Sequence, residues 1–539
     1  MNSIASSSSS SHIEERGEAV AVAASVAALG LLTLVTRLPF RTHYLMNWDA
    51  VQFALGIRHF DIVHHQPHPP GYIGYVAIGR LLMPLFGNDI NATLIAVSIA
   101  GEIAGVVLVF LFARSLFGTR AGWAAGLALV LAPLFWYYGE VANTYALEPA
   151  LVLAIAWPCW RLWTGDVEAA SPAALALGLA GAIRPSTTAL LGPLFAFALM
   201  RSGAPRALKI RAAALLAAAI AVWLLPLFVI AGGPLPVLTA SLELGGSVTA
   251  GTALWNDALN PVRVGLNAVM TGVGWELGVL LVFIIFGFAV APRLGISVPM
   301  HPPNSRGRVT VRDSFGLFCA AWAAPSLLIF VFVHIGQVAY VQTFTPLLFL
   351  VVGPALEATA SALGRPWLGP WLLFIGLAVE VVIFFTPAHS SLAGDLRLHD
   401  QRVASMVKLV AAYDPARTVL VTDAGAAGSY RTAQVYLPDY SRVAIGGDER
   451  GHAGEIYGDV YQPWRFAREE PPEWPANANT YIVLDPEVVR RAPDRDRLRR
   501  VALADGSHVL VWQGPAPVMV GSQLWFDHPG WVRTAGRRI

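Results

Sequence analysis

Apolar runs recur from residue 19 to residue 386, separated by short breaks rich in proline, glycine and arginine. Segments at about 19–36, 90–113, 121–138, 143–163, 172–184, 186–200, 211–231, 264–290, 313–334, 342–361 and 367–386 read as membrane helices. The expectation is therefore about 11 transmembrane helices. The stretch 71–87, GYIGYVAIGRLLMPLFG, carries Arg80 and Pro84 and barely reaches across about 30 Å of hydrocarbon. It predicts a juxtamembrane helix lying along the interface.

Beyond residue 387 the pattern changes. Alternating or β-branched runs at 418–422, 433–437, 480–484 and 508–512 predict strands, and 395–413 predicts a helix before the first of them. A polytopic α-helical membrane domain over 19–386 is thus expected to precede a small α/β domain over 387–539. Residues 1–18 are serine-rich and predict a disordered tail.

Charge orients these segments. With 71–87 at the interface, Arg114, Arg120, Arg161, the run Arg201–Arg211, the run Arg293–Arg312 and Arg365 all fall on one side. By the positive-inside rule that side is the cytoplasm. The N-terminus is then cytoplasmic and the C-terminal domain extracytoplasmic, in a multi-pass protein of the cell (plasma or inner) membrane. No small-residue cleavage site follows 19–36, which reads as an uncleaved first span.

Composition agrees. Hydrophobic residues make up 55% of the 539 positions and charged residues only 13%, too few for a soluble surface of this size. The net charge is +2, with lysine only at 209 and 408. No basic stripe of the kind nucleic acid requires is present. Cys159 and Cys319 both sit in apolar segments and read as unpaired thiols.

Candidate chemistry concentrates in the first outer loop, RTHYLMNWDAVQFALGIRHFDIVHHQPHPPGY. Residues 48–60 predict a short amphipathic helix on the membrane, with Trp48, Val51 and Leu55 on one stripe and Asp49, Gln52 and Gly56 on another. Asp49 stands at the helix start, where a carboxylate either caps the helix or serves as a general base at the water–lipid boundary. His64, His65 and His68 offer ligands for a divalent metal. The prolines deny them helical spacing, and interfacial hydrogen bonding is the favoured reading. No cofactor is expected.

This loop resembles the first outer loop of the GT-C membrane glycosyltransferases, above all the protein O-mannosyltransferase and family 39-like group. There an acidic residue follows the first span, and an HPP motif comes about 20 residues later, before juxtamembrane helices. FWYYGEVANTYALE (135–148) is similar to the second outer turn of that group, and GLAGAIRPS (178–186) to an inner span. The likeness covers roughly 20–390; the tail matches nothing recognisable.

The resemblance implies a transferase that moves a sugar from a polyprenyl-phosphate donor to an acceptor hydroxyl outside the cytoplasm. Asp49 is then the base, and Glu140 stands in as a second acid, because the family's acidic position is Asn143 here. Arg184 would hold the leaving phosphate. Gln52, His68, Tyr72, Asn143, Tyr145, His334, Gln337 and Tyr340 would line the donor and acceptor. Membrane lipid and the lipid-linked donor are the expected partners; sugar and acceptor stay open. Two other classes compete: a transporter or flippase for a lipid-linked or polar solute, suggested by Glu102 inside a span, and a non-catalytic scaffold that would need no Asp49.

Overall fold

The computed structural model describes residues 3–250, 253–255, 261–289, 311–386, 392–423, 429–447, 453–457, 474–490, 492, 494–520 and 523–526. Arg293, Arg306 and Arg308 of the expected cytoplasmic cluster lie outside them. The described residues form two compact units. One draws on Met1–Arg41, Tyr72–Gly233 and Leu244–Gly394, the other on Thr42–Gly71, Pro234–Glu243 and Asp395–Ile539.

Among the described residues the first unit's regular elements are all helices, as a chain in hydrocarbon must satisfy its own backbone. Among the described residues, five helices are long and apolar enough to span: Arg16–Arg37, Ile90–Phe117, Arg206–Ile230, Ser314–Phe332 and Pro366–Phe385. Two further pairs pass the same test together but are bent, Thr119–Leu131 with Pro133–Gly139 by 61° and Val262–Leu277 with Leu280–Ala289 by 102°. The protein is thus a multi-pass membrane protein. Residues 71–87 form the helix Ile73–Leu82 and the 3-10 turn Met83–Phe86, about 23 Å of helix and short of the hydrocarbon thickness.

Helix Ile90–Phe117 is central to this unit. Asp89 caps it, its carboxylate accepting from the Ala92 amide at 3.0 Å. It packs against Thr119–Leu131, Glu148–Trp163 and the first helix. Its Glu102 forms a fully buried ion pair with Arg37 at 2.6 Å. Arg37 also donates to the Val130 carbonyl at 2.7 Å. Glu102 is not alone, because Glu276 and Glu380 are buried as well, at 1% and 0% exposure.

The second unit contains a six-stranded sheet. In chain order its strands are β1 (Thr418–Asp423), β2 (Ser441–Gly447), β3 (Ala453–Tyr457), β4 (Thr480–Val483), β5 (Arg499–Ala502) and β6 (His508–Gln513), and across the sheet they run β3-β2-β1-β4-β6-β5. β1 is parallel to β2 and β4. Alternation sorts its side chains. Leu420 and Ile482 pack with Val403, Met406 and Val410 of helix Leu392–Val410. Val419, Val421, Tyr481 and Val483 face the other core.

Three of the four expected strands are found. The run at 433–437 is instead part of helix Tyr430–Tyr436. Parallel strands need a crossover, and this segment lies between β1 and β2, where a helix supplies it. A short apolar run cannot be told from a buried helix by period alone.

Candidate active site

The first outer loop belongs to the second unit. Its helix runs from Trp48 to Arg58, and Asn47 is its cap: the Asn47 side chain accepts from the Ala50 amide at 2.9 Å. Asp49 is therefore not the capping residue. It stands in the first turn, favoured there by the helix dipole. Its side chain keeps 19% exposure, and its Oδ1 lies 4.0 Å from Nδ1 of His68.

The helix is not the surface amphipath its two stripes suggest. Every residue from Ala50 to Ile57 is buried, in part because helix Tyr430–Tyr436 packs against it. Gln52 is fully buried. Gly56 is required by close approach, since a Cβ there would sit 2.6 Å from Cδ of Pro67.

The histidine–proline loop is tied in several places. Asp61 and Gln66 exchange backbone hydrogen bonds of 2.6 and 2.8 Å. Nδ1 of His64 lies 2.5 Å from Oδ2 of Asp61. Arg431 donates to the His64 carbonyl at 2.7 Å. His68 packs its ring against Phe53 at 5.4 Å. Gly71 turns the chain at φ 105°, a backbone state that favours glycine. His65 is 3% exposed. Burial, aided by the neighbouring His68, Arg431 and His64, pushes it from 6.5 down to about 3. Among the described residues no three His, Cys, Asp or Glu side chains converge in metal-binding geometry.

A second constellation lies in the first unit. Arg184 follows helix Ala170–Ile183, and Pro185 opens the next helix. Its Nε is 3.0 Å from Oε2 of Glu148, and its Nη1 donates to Thr144 Oγ1 at 3.3 Å. Its ion-pair partner is thus Glu148. The guanidinium stands 4.3 Å over the Tyr145 ring and 5.7 Å from that of Tyr340, an arrangement that stabilises a cation. The Tyr138 hydroxyl donates to Gln337 at 3.1 Å, and His334 lies 6.2 Å from Tyr340. Tyr72 is close enough to act electrostatically on Arg184. Arg184, Tyr72, Tyr145, His334, Gln337 and Tyr340 are therefore neighbours, although 72 and 340 are far apart in sequence.

Two predicted residues have structural occupations. Asn143 accepts from the Tyr145 amide at 3.3 Å and starts the 3-10 turn Thr144–Leu147. Glu140 is fully buried and accepts from Trp136 Nε1 at 2.7 Å. The place of Glu148 beside Arg184 depends on the packing of Glu148–Trp163 against Pro185–Arg201.

Residues 67–230 match the family model described as dolichyl-phosphate-mannose-protein mannosyltransferase. ArnT from Cupriavidus metallidurans in the apo state has a similar fold, with a TM-score of 0.53 at 15% identity over 93% of this chain and 100% of that one. Its form bound to undecaprenyl phosphate gives 0.52 at 14% identity, over 93% and 99%. The fold is that of the GT-C glycosyltransferases. The oligosaccharyltransferase from Archaeoglobus fulgidus, in complex with Zn and sulfate, is a further GT-C likeness, with a TM-score of 0.50 at 12% identity over 90% of this chain and 72% of that one. No curated protein sequence matches significantly. The part matched by the family model contains His68, Tyr72, Glu140, Asn143, Tyr145 and Arg184; Asp49 and the turn at 334–340 lie outside it.

Proposed function

We propose that this protein is a GT-C glycosyltransferase that moves a sugar from a polyprenyl-phosphate donor to an acceptor hydroxyl, in the manner of protein O-mannosylation. The reaction takes place at the extracytoplasmic face of the cell membrane. The observation that carries the reading is Asp49 itself. Asn47 caps the helix, so Asp49 has no capping duty, and its carboxylate stays partly open beside His68.

Asp49 takes the proton of the acceptor hydroxyl. The oxygen attacks the anomeric carbon, the bond from that carbon to the phosphate oxygen breaks, and the polyprenyl phosphate leaves with the electron pair. A phosphate is a weak base, so a cation suffices to receive it. Arg184 provides that cation, with Tyr72, Tyr145, His334, Gln337 and Tyr340 arranged around it. His68 orients Asp49 or donates to the donor phosphate. Gln52 and Glu140 are buried, and we assign them to positioning: Gln52 within the Asp49 helix, Glu140 held by Trp136. The ArnT of the same fold was crystallised with undecaprenyl phosphate, which supports a lipid-phosphate donor.

One observation favours the second reading, a transporter or flippase: the buried acids Glu102, Glu276 and Glu380. The purified protein, incubated with radiolabelled polyprenyl-phosphate sugars and a mixed acceptor extract, separates the two. Label moved onto acceptor supports the transferase. Lipid moved across vesicles with its sugar retained would replace it with the flippase.

A further inference from the structure

We propose that the broken span Val262–Leu277 with Leu280–Ala289 holds a sodium ion, ligated by Glu276 and Glu380 together with the side-chain oxygens of Gln342 and Thr345. All four residues belong to the first unit, and the proposal is independent of the transferase reading. The two helices are bent by 102° about a break at Gly278, whose φ is 44°, a backbone state that favours glycine. The C-terminal end of the first helix is buried there, with Leu277 at 0% exposure. The last carbonyls of a helix have no partner within it, and the helix dipole makes that end negative.

Glu276 stands in the last turn of that helix, and Glu380 approaches it from helix Pro366–Phe385. A Cβ at Gly278 would sit 2.5 Å from Oε1 of Glu380, so this carboxyl lies directly against the break. Glu276 and Glu380 are 1% and 0% exposed, and Glu380 is close enough to act electrostatically on Glu276. Glu102 acts on Glu276 as well, but it is paired with Arg37. Among the described residues no basic side chain pairs with Glu276 or Glu380. Two acids buried at the negative end of a helix need positive charge brought to them.

Two neutral side chains complete the donor set. Gln342 comes from the 3-10 turn Val338–Thr343 and Thr345 opens helix Thr345–Leu350, both at 0% exposure. Both lie beside the Glu276 carboxyl without making a hydrogen bond of normal geometry to it. The carboxyl oxygens of Glu276 and Glu380, both amide atoms of Gln342 and Oγ1 of Thr345 are all without a hydrogen-bond partner among the described residues. Buried polar atoms are almost always paired, so orphans gathered in one place point to a bound group. Carboxylate, amide and hydroxyl oxygens suit a hard cation. Among the described residues no third Asp, Glu, His or Cys joins the set in metal-binding geometry, which favours a monovalent ion over a divalent one. Helix ends and unwound carbonyls at a break in a span are suited to coordinating sodium.

The test combines equilibrium binding of radiolabelled sodium with thermal unfolding of the full-length protein in nanodiscs, in sodium, choline or magnesium chloride at equal ionic strength. The expected result is saturable sodium binding and a midpoint that rises with sodium concentration, as for any ligand of the folded state alone. Choline should give no such rise. Glu276→Gln removes the charge at nearly constant shape. It should unfold no earlier than the parent in choline and lose the sodium dependence, which separates a ligand from a mere support of the fold. Thr345→Val, the second variant, keeps the size of its side chain and should weaken sodium binding about tenfold. Equal midpoints in sodium and choline would overturn the proposal, as would sodium binding unchanged in Glu276→Gln or in Thr345→Val. A midpoint that responds to pH and not to sodium would make the occupant a proton, and stronger stabilisation by magnesium would make it a divalent ion. Either result would also overturn it.

Discussion

Arg184 Nε lies 3.0 Å from Glu148 Oε2, with the two side chains 6% and 1% exposed. Thr187 holds the same carboxylate with hydrogen bonds of 2.9 and 2.7 Å. Removing one member of such a pair leaves a buried charge uncompensated and costs about 3–5 kcal/mol. Glu148→Gln should therefore lower the thermal unfolding midpoint of the purified protein sharply. The double variant Glu148→Leu, Arg184→Met should recover much of the loss, since an apolar pair of similar volume avoids the desolvation. A Glu148→Gln protein as stable as the parent would show that the pair is not holding these helices.

His65 gives the outer loop an acid sensitivity. Its folded value, about 3, lies below the ordinary 6.5. The unfolded loop takes up a proton that the folded loop resists, so the stability from His65 is full above 6.5 and is lost as pH falls toward about 3. Hydrogen exchange over residues 61–71, corrected for intrinsic rates, should show protection falling between about pH 7 and pH 5. His65→Asn, which tolerates the φ of 56° and does not titrate, should flatten that dependence. Equal pH dependence in both proteins would assign the effect to another group.

Much of the fold was legible because long apolar runs and period-two strands are strong signals. Helix Ile90–Phe117 and strands β1, β4 and β6 appear where their patterns put them. What failed was local and short. The run at 433–437 carries too few residues to declare a period, and tertiary topology made it a helix. The amphipathic reading of 48–60 failed because spacing shows which residues share a stripe and not what covers the opposite one. In the site, Asp49 and Arg184 stood out by residue type in an apolar context. Glu148 and Arg431 did not, because their partners are set by packing between distant segments. Asn47 is readable as a cap, because an asparagine just before an apolar helix is a strong capping candidate.

Orientation rests on arginine placement and is directly measurable. In a background of Cys159→Ala and Cys319→Ala, a cysteine replacing Glu168 should react with an impermeant maleimide only after permeabilisation. One replacing Ala504 should react without it. Both positions are exposed. The reverse pattern would place the C-terminal domain in the cytoplasm and remove the basis for an extracytoplasmic site.

The role of Asp49 admits the sharpest measurement. Asp49→Asn keeps the shape of the side chain, and the cap is Asn47, so the helix and the fold should be untouched. Positioned acid–base groups contribute about 10²–10⁴-fold in rate. Transfer rate and donor affinity should be measured on the same purified Asp49→Asn protein, beside Arg184→Ala. The account predicts a transfer rate reduced by at least about 10²-fold in Asp49→Asn, with donor affinity near that of the parent, and the weakened donor binding in Arg184→Ala. An Asp49→Asn protein that transfers sugar at close to the parental rate would contradict it.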